Sequence, residues 1–332
     1  MIGKNNLQAF YSLKEPISKH IAFVDGIIRS GKQLTCRVIS FLNGADHYIY
    51  DHNIEHMCYL YFVGGIRAEL AAAFIQMSTN ATIYDRIIGR NLNLRQDDAS
   101  CILKAAQPEN MLQRTTRESG IEALECFNEE NRMPVFHLHN SMPSIDVLIK
   151  AYPNLKMVHV SRHPIDLIYS WVKRKWGMRE VSDPLSFCPI IKSENGPVPW
   201  YAFGWAKEFL EYSEVERALM GVLLLADEDE KGYQKLSPIQ QRNYIFRFPL
   251  EQLFSEPKTV VGNMEIFFDR EADKNMDHML ITERCPRSYV KEVQKQHFDE
   301  LKQSLSPRFI ERLDAAALAY ENRWGLVSLK DS

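Results

Sequence analysis

Residues 157–170 read Met-Val-His-Val-Ser-Arg-His-Pro-Ile-Asp-Leu-Ile-Tyr-Ser, and this stretch contains a change from strand to helix. The apolar residues 157–160 predict a buried strand. Pro164 suits the first position of a helix because its missing N–H is not needed there. Asp166 falls in the first turn, where a carboxylate interacts favourably with the helix dipole. The pattern therefore places Arg162 at the carboxyl end of a strand and Ser170 in the helix, facing one crevice.

A cation and a hydroxyl at such a crevice form an anion-binding pair, and phosphate is the natural anion. The segment by itself is equally compatible with an ordinary turn in which Arg162 forms a surface ion pair. What favours phosphate binding is a second candidate phosphate loop near the other end of the chain.

That loop follows residues 20–28, which predict a buried strand, and precedes an apolar-periodic helix predicted over residues 34–43. Between them, residues 29–33 read Arg-Ser-Gly-Lys-Gln. A strand, a glycine loop and a helix in this order let backbone N–H groups surround a phosphate.

The spacing from Gly26 to Gly31-Lys32 nearly matches the loop that binds nucleoside triphosphates, which ends in Gly-Lys-Ser/Thr. Gln33 replaces the hydroxyl residue that normally ligates Mg²⁺. The usual second Mg²⁺ ligand is an Asp that ends a neighbouring strand, and neither residues 135–139 nor residues 157–160 end in one. The loop is therefore predicted to bind phosphate without the usual Mg²⁺ arrangement.

Two phosphate sites on one α/β sheet resemble the sulfotransferases that use PAPS, a donor with a 5′-phosphosulfate and a 3′-phosphate. Residues 29–31 resemble the family's first loop, with Lys32-Gln33 where two Thr usually stand. Residues 162–170 resemble its second element, Arg-(Asp/Asn)-Pro-x-Asp-x-x-x-Ser, with His163 as the departure. Weaker similarities at residues 246–253 and 320–326 extend the resemblance over residues 20–326.

The resemblance implies a P-loop-like three-layer α/β fold with a mostly parallel sheet, PAPS as co-substrate, and no metal. It also implies a set of residues that contact the donor, namely Arg29, Ser30, Gly31, Lys32, Gln33, Leu34, Arg162 and Ser170. Many members carry a late Arg-Lys-Gly element at the 3′-phosphate, which is missing here. Either Arg284 or Arg287 is the candidate to replace it, and an exposed basic turn is the alternative.

Sulfuryl transfer needs cations at the sulfonate, for which Arg29 and Lys32 are suited, and a base for the acceptor proton. The segment from His137 to His139 resembles the family's Lys-Thr-His, whose His is the base, and this implies His139. Alternation along a strand places both histidines on one face. Glu55 is the rival, because other branches use a carboxylate at a similar distance after the loop. Structural histidines and a surface glutamate remain the alternatives.

The composition limits the classes of function. The 332 residues carry a net charge of −3 and are 45% apolar, which predicts a substantial core and no nucleic-acid surface. Six dispersed cysteines without metal spacing, no apolar run of membrane-spanning length and a polar segment 1–19 favour a cytoplasmic location. The histidines at 20, 47, 159, 278 and 297 likewise show no metal-ligand spacing.

We predict a single domain over residues 1–332, with an N-terminal extension (1–19) and a lid or acceptor loop (180–199). Further predictions are a loop over the site at 47–55, helices at 65–77, 98–106, 110–130, 145–152, 200–224 and 308–324, strands at 134–138 and 245–248, and a solvated turn at 227–231.

The predicted function is metal-independent transfer of a sulfuryl group from PAPS to a hydroxyl or amine of a small-molecule, carbohydrate or lipid acceptor. One alternative is a nucleotide-dependent kinase that uses the loop at Gly26–Lys32. Another is a catalytically silent nucleotide-binding protein, suggested by the departures at Lys32 and Gln33. Neither a nucleic-acid partner nor a membrane span is expected.

Overall fold

The computed structural model describes residues 11–288 and 291–329, so part of the predicted N-terminal extension lies outside the described residues. The strands in chain order are β1 (Ala22–Asp25), β2 (Ile49–Tyr50), β3 (Val135–His137), β4 (Lys156–Ser161), β5 (Ile190–Ser193), β6 (Gly196–Pro199) and β7 (Ile245–Pro249). The central sheet has the order β2-β3-β1-β4-β7, and every pair of neighbours in it is parallel. The remaining two strands, β5 and β6, form a separate antiparallel hairpin.

Helices surround the sheet. They are α1 (Lys32–Ser40), α2 (His52–Phe62), α3 (Ala68–Ile87), α4 (Pro108–Gln113), α5 (Ile121–Glu129), α6 (Ile145–Ala151), α7 (Pro164–Lys173), α8 (Ala206–Glu211), α9 (Glu214–Gln234), α10 (Pro238–Tyr244), α11 (Leu250–Ser255), α12 (Pro257–Phe268), α13 (Met276–Thr282), α14 (Lys291–Lys302) and α15 (Pro307–Trp324). Among the described residues, none of these helices is both long and apolar enough to cross a bilayer.

Two apolar cores lie on opposite faces of the sheet. Successive strand residues point to opposite faces, so Phe23 of β1 joins a core with α2, α3, α6, α7, α9 and α15. Its neighbours Ala22 and Val24 join a core with α1, α11, α12 and α13. The predicted α/β class, with a parallel sheet covered on both faces, is confirmed.

The topology determines where a ligand can bind. From β1 the chain first builds β2 and β3 on one side of the sheet, and later β4 and β7 on the other. Such a reversal leaves a crevice at the carboxyl ends of the strands, the usual ligand site of open α/β sheets. The loops that follow β1, β3, β4 and β7 meet there.

The prediction of a loop at residues 47–55 was wrong. These residues form β2 and the first turn of α2, because the Asp51 side chain accepts a hydrogen bond from the N–H of Asn53 and caps the helix. The loop prediction had rested only on polar and aromatic composition.

Three helix predictions were too long. Residues 98–106 form only a single tight turn at Ile102–Lys104, because Asn93 hydrogen-bonds the side chains of Asp98 and Ser100 and favours turns. Residues 110–130 divide into α4 and α5 around Gly120, whose φ of 101° is incompatible with a helix. Residues 200–224 begin as a 3₁₀ turn and then divide into α8 and α9.

Two further segments are more ordered than expected. Residues 180–199 contain the β5–β6 hairpin, whose strands are joined by the two-residue turn Glu194-Asn195. Residues 227–231 lie inside α9 rather than in a turn, because Lys231 pairs with the acidic side chains one turn before it.

Candidate active site

The loop between β1 and α1 is held in a conformation that depends on its glycines. Gly26 has φ 145°, and a Cβ there would lie 2.4 Å from the carbonyl oxygen of Val160. Gly31 has φ 99°, and its Cβ would lie 2.5 Å from the side chain of Leu250. Arg29 also has a positive φ, 78°, which is costly for a residue with a Cβ and is typical of functional sites.

The loop leads directly into the amino terminus of α1. Gly31 caps this helix without a side chain, and the first turn contains no acidic residue. The N–H groups of Lys32, Gln33 and Leu34 therefore have no partner within the helix. These residues line a cavity of about 670 Å³, where the helix terminus favours an anion.

The second predicted element lies against this loop. The guanidinium of Arg162 donates to the carbonyl oxygen of Arg29 over 3.1 Å, and Nε of Arg29 donates to Oγ of Ser170 over 3.4 Å. Arg174 donates to the same hydroxyl over 3.4 Å. The two segments are 141 residues apart in the chain, yet Arg29 and Arg162 line the same cavity.

His163, the departure from the family pattern, has a structural role. Its ring accepts the N–H of Ile165 and caps α7, the task that an Asp or Asn would perform. The backbone N–H of His163 donates to the Glu251 carboxylate, which also accepts a hydrogen bond from the hydroxyl of Tyr320. The three segments that carry the resemblance in the second half of the chain are thus hydrogen-bonded to one another.

The cavity wall is more cationic than the sequence analysis foresaw. Besides Arg29, Lys32 and Arg162, its lining includes Arg37, Arg174, Arg179 and Arg287. Arg287 stacks its guanidinium over Phe254 at 3.6 Å and lines the cavity. Arg284 is exposed and is not part of the lining. Of the two candidates for the late phosphate contact, only Arg287 lines this cavity.

The loop lysine is turned inward. Lys32 is buried, and its Nζ donates to the carbonyl oxygen of Ile27 over 2.6 Å. Burial lowers its pKa to about 8, although the nearby charges of Asp25 and Glu55 act in the opposite direction. The ammonium group therefore remains largely charged at neutral pH.

His139 and Glu55, the two rival candidates for the base, contact each other. Nδ1 of His139 lies 3.0 and 3.1 Å from the two carboxylate oxygens of Glu55, although the residues are 84 apart in sequence. Tyr59 donates its hydroxyl to Glu55 over 2.9 Å and to the carbonyl oxygen of His139 over 2.7 Å. The rings of His137 and His139 lie 4.6 Å apart, on the predicted common face.

Electrostatics assigns roles to this pair. Burial disfavours the charged form of Glu55, but His139 and His52 outweigh it and hold the pKa of Glu55 well below its usual range. Burial lowers the pKa of His139, and the Glu55 carboxylate offsets this only in part. An ionised Glu55 accepts the proton on Nδ1 and leaves Nε2 of His139 as a hydrogen-bond acceptor. This is the arrangement of a general base oriented by a carboxylate.

A second, aromatic cavity adjoins the cationic one. It measures about 210 Å³ and shares Ile28, His139 and Trp176 with its neighbour. Tyr59 and Trp200 form one wall, with ring centroids 4.2 Å apart. Glu180, Leu185, Ser186, Phe187 and Cys188 from the predicted lid or acceptor segment also line it.

One buried group escaped the sequence analysis altogether. Asp25, His159 and Asp229 lie together behind the loop, and all three are suitable metal ligands. His159 shows no metal-ligand spacing in the sequence, and Asp229 was predicted to lie in a solvated turn. Asp229 is instead 3% exposed.

No family model matches the chain, and no curated protein matches it. The six solved structures noted as similar are all sulfotransferases. A sulfotransferase domain from the curacin biosynthetic pathway is 12% identical, with 93% of this chain and 98% of that chain covered and a TM-score of 0.42. Sulfotransferase STF9 from Mycobacterium avium is 10% identical, with 94% of this chain and 78% of that chain covered and a TM-score of 0.45. Mouse SULT7A1 complexed with PAP is 11% identical, with 94% of this chain and 86% of that chain covered and a TM-score of 0.40. Likeness at this level does not by itself assign an activity to the chain.

Proposed function

We propose that this protein transfers a sulfuryl group from PAPS to the hydroxyl of a small acceptor. The supporting observation is that Arg29, Arg162 and Ser170 line or adjoin one cationic cavity at the amino terminus of α1. That cavity meets the His139–Glu55 pair at its edge. Its volume, about 670 Å³, is within the usual range of ligand pockets.

The donor has two anionic ends, and the cavity offers a group for each. The 5′-phosphosulfate would bind the N–H groups at the start of α1 together with Arg29, while Lys32, whose ammonium is turned inward, adds positive charge from behind the loop. The 3′-phosphate would bind Arg162 and Ser170, with Arg287 as a third contact. Guanidinium and main-chain N–H groups then neutralise charge that Mg²⁺ neutralises in kinases.

The reaction is an in-line displacement at sulfur. The acceptor oxygen forms a bond to sulfur while the bond from sulfur to the bridging phosphate oxygen breaks, and adenosine 3′,5′-bisphosphate (PAP) leaves. Nε2 of His139 takes the acceptor proton, and Glu55 stabilises the resulting imidazolium. Arg29 stabilises the negative charge that develops on the sulfonate and bridging oxygens, and the buried Lys32 charge adds to the positive potential there.

The acceptor would enter the aromatic cavity. Within the described residues, the lining of that cavity contains no Lys or Arg but does contain the carboxylates of Glu55 and Glu180. Flat aromatic walls and nearby negative charge favour a neutral, planar hydroxyl compound and disfavour an anionic one. Its volume of about 210 Å³ suits a fused bicyclic alcohol better than a long glycan or lipid.

Calorimetry with PAP and with ATP-Mg²⁺, each with and without EDTA, tests the donor assignment. We expect PAP to bind with unchanged affinity in EDTA and ATP-Mg²⁺ to bind at least about tenfold more weakly. Tighter binding of ATP-Mg²⁺ would support a kinase instead. Tight PAP binding without turnover on any acceptor in a broad library would support the silent nucleotide-binding protein.

A matched acceptor pair tests the second cavity. Labelled PAPS is supplied with a naphthol and with a hydroxynaphthoate that differs only by a carboxylate. We expect kcat/KM to be at least about tenfold higher for the neutral compound. Equal rates for the two compounds, or a preference for the carboxylate, would reject the acceptor assignment without affecting the donor assignment.

A further inference from the structure

A buried cluster of three potential ligands lies behind the loop, away from the proposed reaction. Asp25 ends β1, and His159 is its register partner on the adjacent strand β4. Asp229 reaches them from α9. The three residues are 0%, 3% and 3% exposed, and one ligand atom of each lies within 4.8 Å of the others.

Hydrogen bonding within the protein leaves this cluster incompletely satisfied. Asp25 accepts the N–H groups of Ser141 and Met142, each over 2.9 Å, and Nε2 of His159 lies 3.1 Å from Oδ2 of Asp229. Nδ1 of His159 and Oδ1 of Asp229 are buried and have no partner among the described residues. Buried polar atoms are nearly always paired, so two such atoms in one cluster indicate a missing partner.

The charges in the cluster also favour a cation. Two buried carboxylates share this site with a single imidazole. The Lys32 ammonium is a charged neighbour, but it donates its hydrogen bond to the carbonyl oxygen of Ile27. Buried carboxylates that lack sufficient cationic partners are stabilised by metal coordination.

A neighbouring cavity gives access to the cluster. It measures about 360 Å³, His159 and Asp229 are part of its lining, and it shares Arg162 with the cationic cavity. It therefore provides a route for an ion and space for water in the remaining coordination positions, as in metal sites with three protein ligands.

We propose that Asp25, His159 and Asp229 bind a divalent transition-metal ion, with zinc or manganese the best match to one imidazole and two carboxylates. At metal–ligand distances of about 2.0–2.2 Å, ligand atoms lie roughly 3–4 Å apart, so a shift of about 1 Å would close the site. The backbone N–H groups on Asp25 are the outer contacts that orient a ligating carboxylate. The ion would join β1, β4 and α9 beneath the loop.

This site is distinct from the proposed donor site, because none of its three residues lines the cationic cavity. It takes no part in the proposed transfer, so either proposal can fail without the other. The sequence led us to expect no metal, and this proposal departs from that expectation, whereas the proposed transfer itself still needs none.

Cobalt(II) is a suitable probe because its visible spectrum reports the type of ligand. Full-length protein is dialysed against a chelator, then against chelator-free buffer, and titrated with Co²⁺. We expect one equivalent to bind with the weak visible bands of nitrogen and oxygen ligands. Zn²⁺ or Mn²⁺ should also raise the midpoint of thermal unfolding.

Asp229→Asn should weaken binding at least about tenfold, the effect seen for changes at metal sites, and should abolish the thermal shift. Asp227→Asn is the matched control, because Asp227 lies on the same helix and lines the same cavity but is exposed. It should bind metal as the wild type does. If Asp229→Asn does not fold, His159→Gln takes its place.

Several results would overturn the proposal, and the wild-type titration alone can provide two of them. One is the absence of stoichiometric binding to the folded protein. Another is intense near-ultraviolet absorption, which would show that the Co²⁺ is bound by cysteine thiolates. Equal losses in the two aspartate variants would also reject the site.

Discussion

Replacing Arg162 with Ala should weaken the binding of PAP without destabilising the unliganded protein. The Arg162 guanidinium lines the cationic cavity and donates to the carbonyl of Arg29. In the proposed complex it is a charged partner of the 3′-phosphate. The variant removes that partner and leaves the loop glycines and the helix terminus in place.

The expected loss follows from the contacts. A hydrogen bond to a charged group contributes about 1.5–3 kcal/mol, which corresponds to roughly 10–150-fold in affinity. Arg29 and Arg174 remain within 3.4 Å of the Ser170 hydroxyl and would still face the phosphate. We therefore expect a loss near the lower end, about tenfold to thirtyfold.

The same substitution should change the stability of the unliganded protein only slightly. Burial, followed by the charges of Arg174 and Arg162, lowers the pKa of Arg29, which shows that these guanidiniums repel one another. Removing Arg162 relieves part of that repulsion, which should stabilise the folded protein. It also removes the hydrogen bond to the Arg29 carbonyl, and this loss should destabilise the fold by about 1 kcal/mol. The free energy of unfolding should therefore change by no more than about 1 kcal/mol.

Calorimetry with PAP and thermal unfolding of the free protein measure the two quantities. Arg162→Lys keeps the charge and should retain part of the affinity, because an ammonium contacts phosphate at one point only. Arg284→Ala, an exposed arginine outside the cavity, should bind PAP as the wild type does. Unchanged affinity in Arg162→Ala would refute the donor assignment. A large loss of stability would show that Arg162 is a structural residue.

The remaining predictions concern the loop, the base and the late arginine. Gly31→Ala should abolish measurable PAP binding, because the new Cβ would clash and φ is 99° at that position; native circular dichroism separates this from unfolding. Glu55→Gln should lower kcat about 10²–10⁴-fold with donor affinity retained, and a loss under threefold would contradict the role of Glu55. Since burial lowers the pKa of His139, kcat should stay constant as the pH falls from about 7 to 6.5 and should decrease only in more acid buffer. Arg287→Ala should weaken PAP binding several-fold more than Arg284→Ala, as measured by calorimetry.

Features encoded by consecutive residues could be predicted from the sequence. The strand, loop and helix around Gly31 are local, and so is the turn from β4 to α7. The parallel sheet follows from the alternation of such units, because parallel strands need crossover connections. Arg29 and Arg162 could be placed at one crevice for this reason, since strand ends meet at one edge of such a sheet.

Contacts between distant segments could not be predicted. His139 and Glu55 looked like alternatives because a sequence separation of 84 residues carries no information about their distance in the fold. They meet because β2 pairs with β3, which brings the start of α2 beside the loop after β3. Asp229 was missed for a related reason: one face of a charged helix can be buried, and composition does not show which face.

Lys32 is the strongest departure from the family's loop, and its position gives the departure a physical role. Its ammonium is buried beside the loop, and its charge is among the causes that lower the pKa of His139. A threonine at this position could not provide that charge. Lys32 thus favours the neutral form of His139, the form that accepts a proton, while the ionised Glu55 keeps Nδ1 protonated. Lys32 in place of threonine had suggested a catalytically silent protein. It is instead compatible with the proposed role of His139 as a base, because the charge of Lys32 helps to keep that histidine neutral.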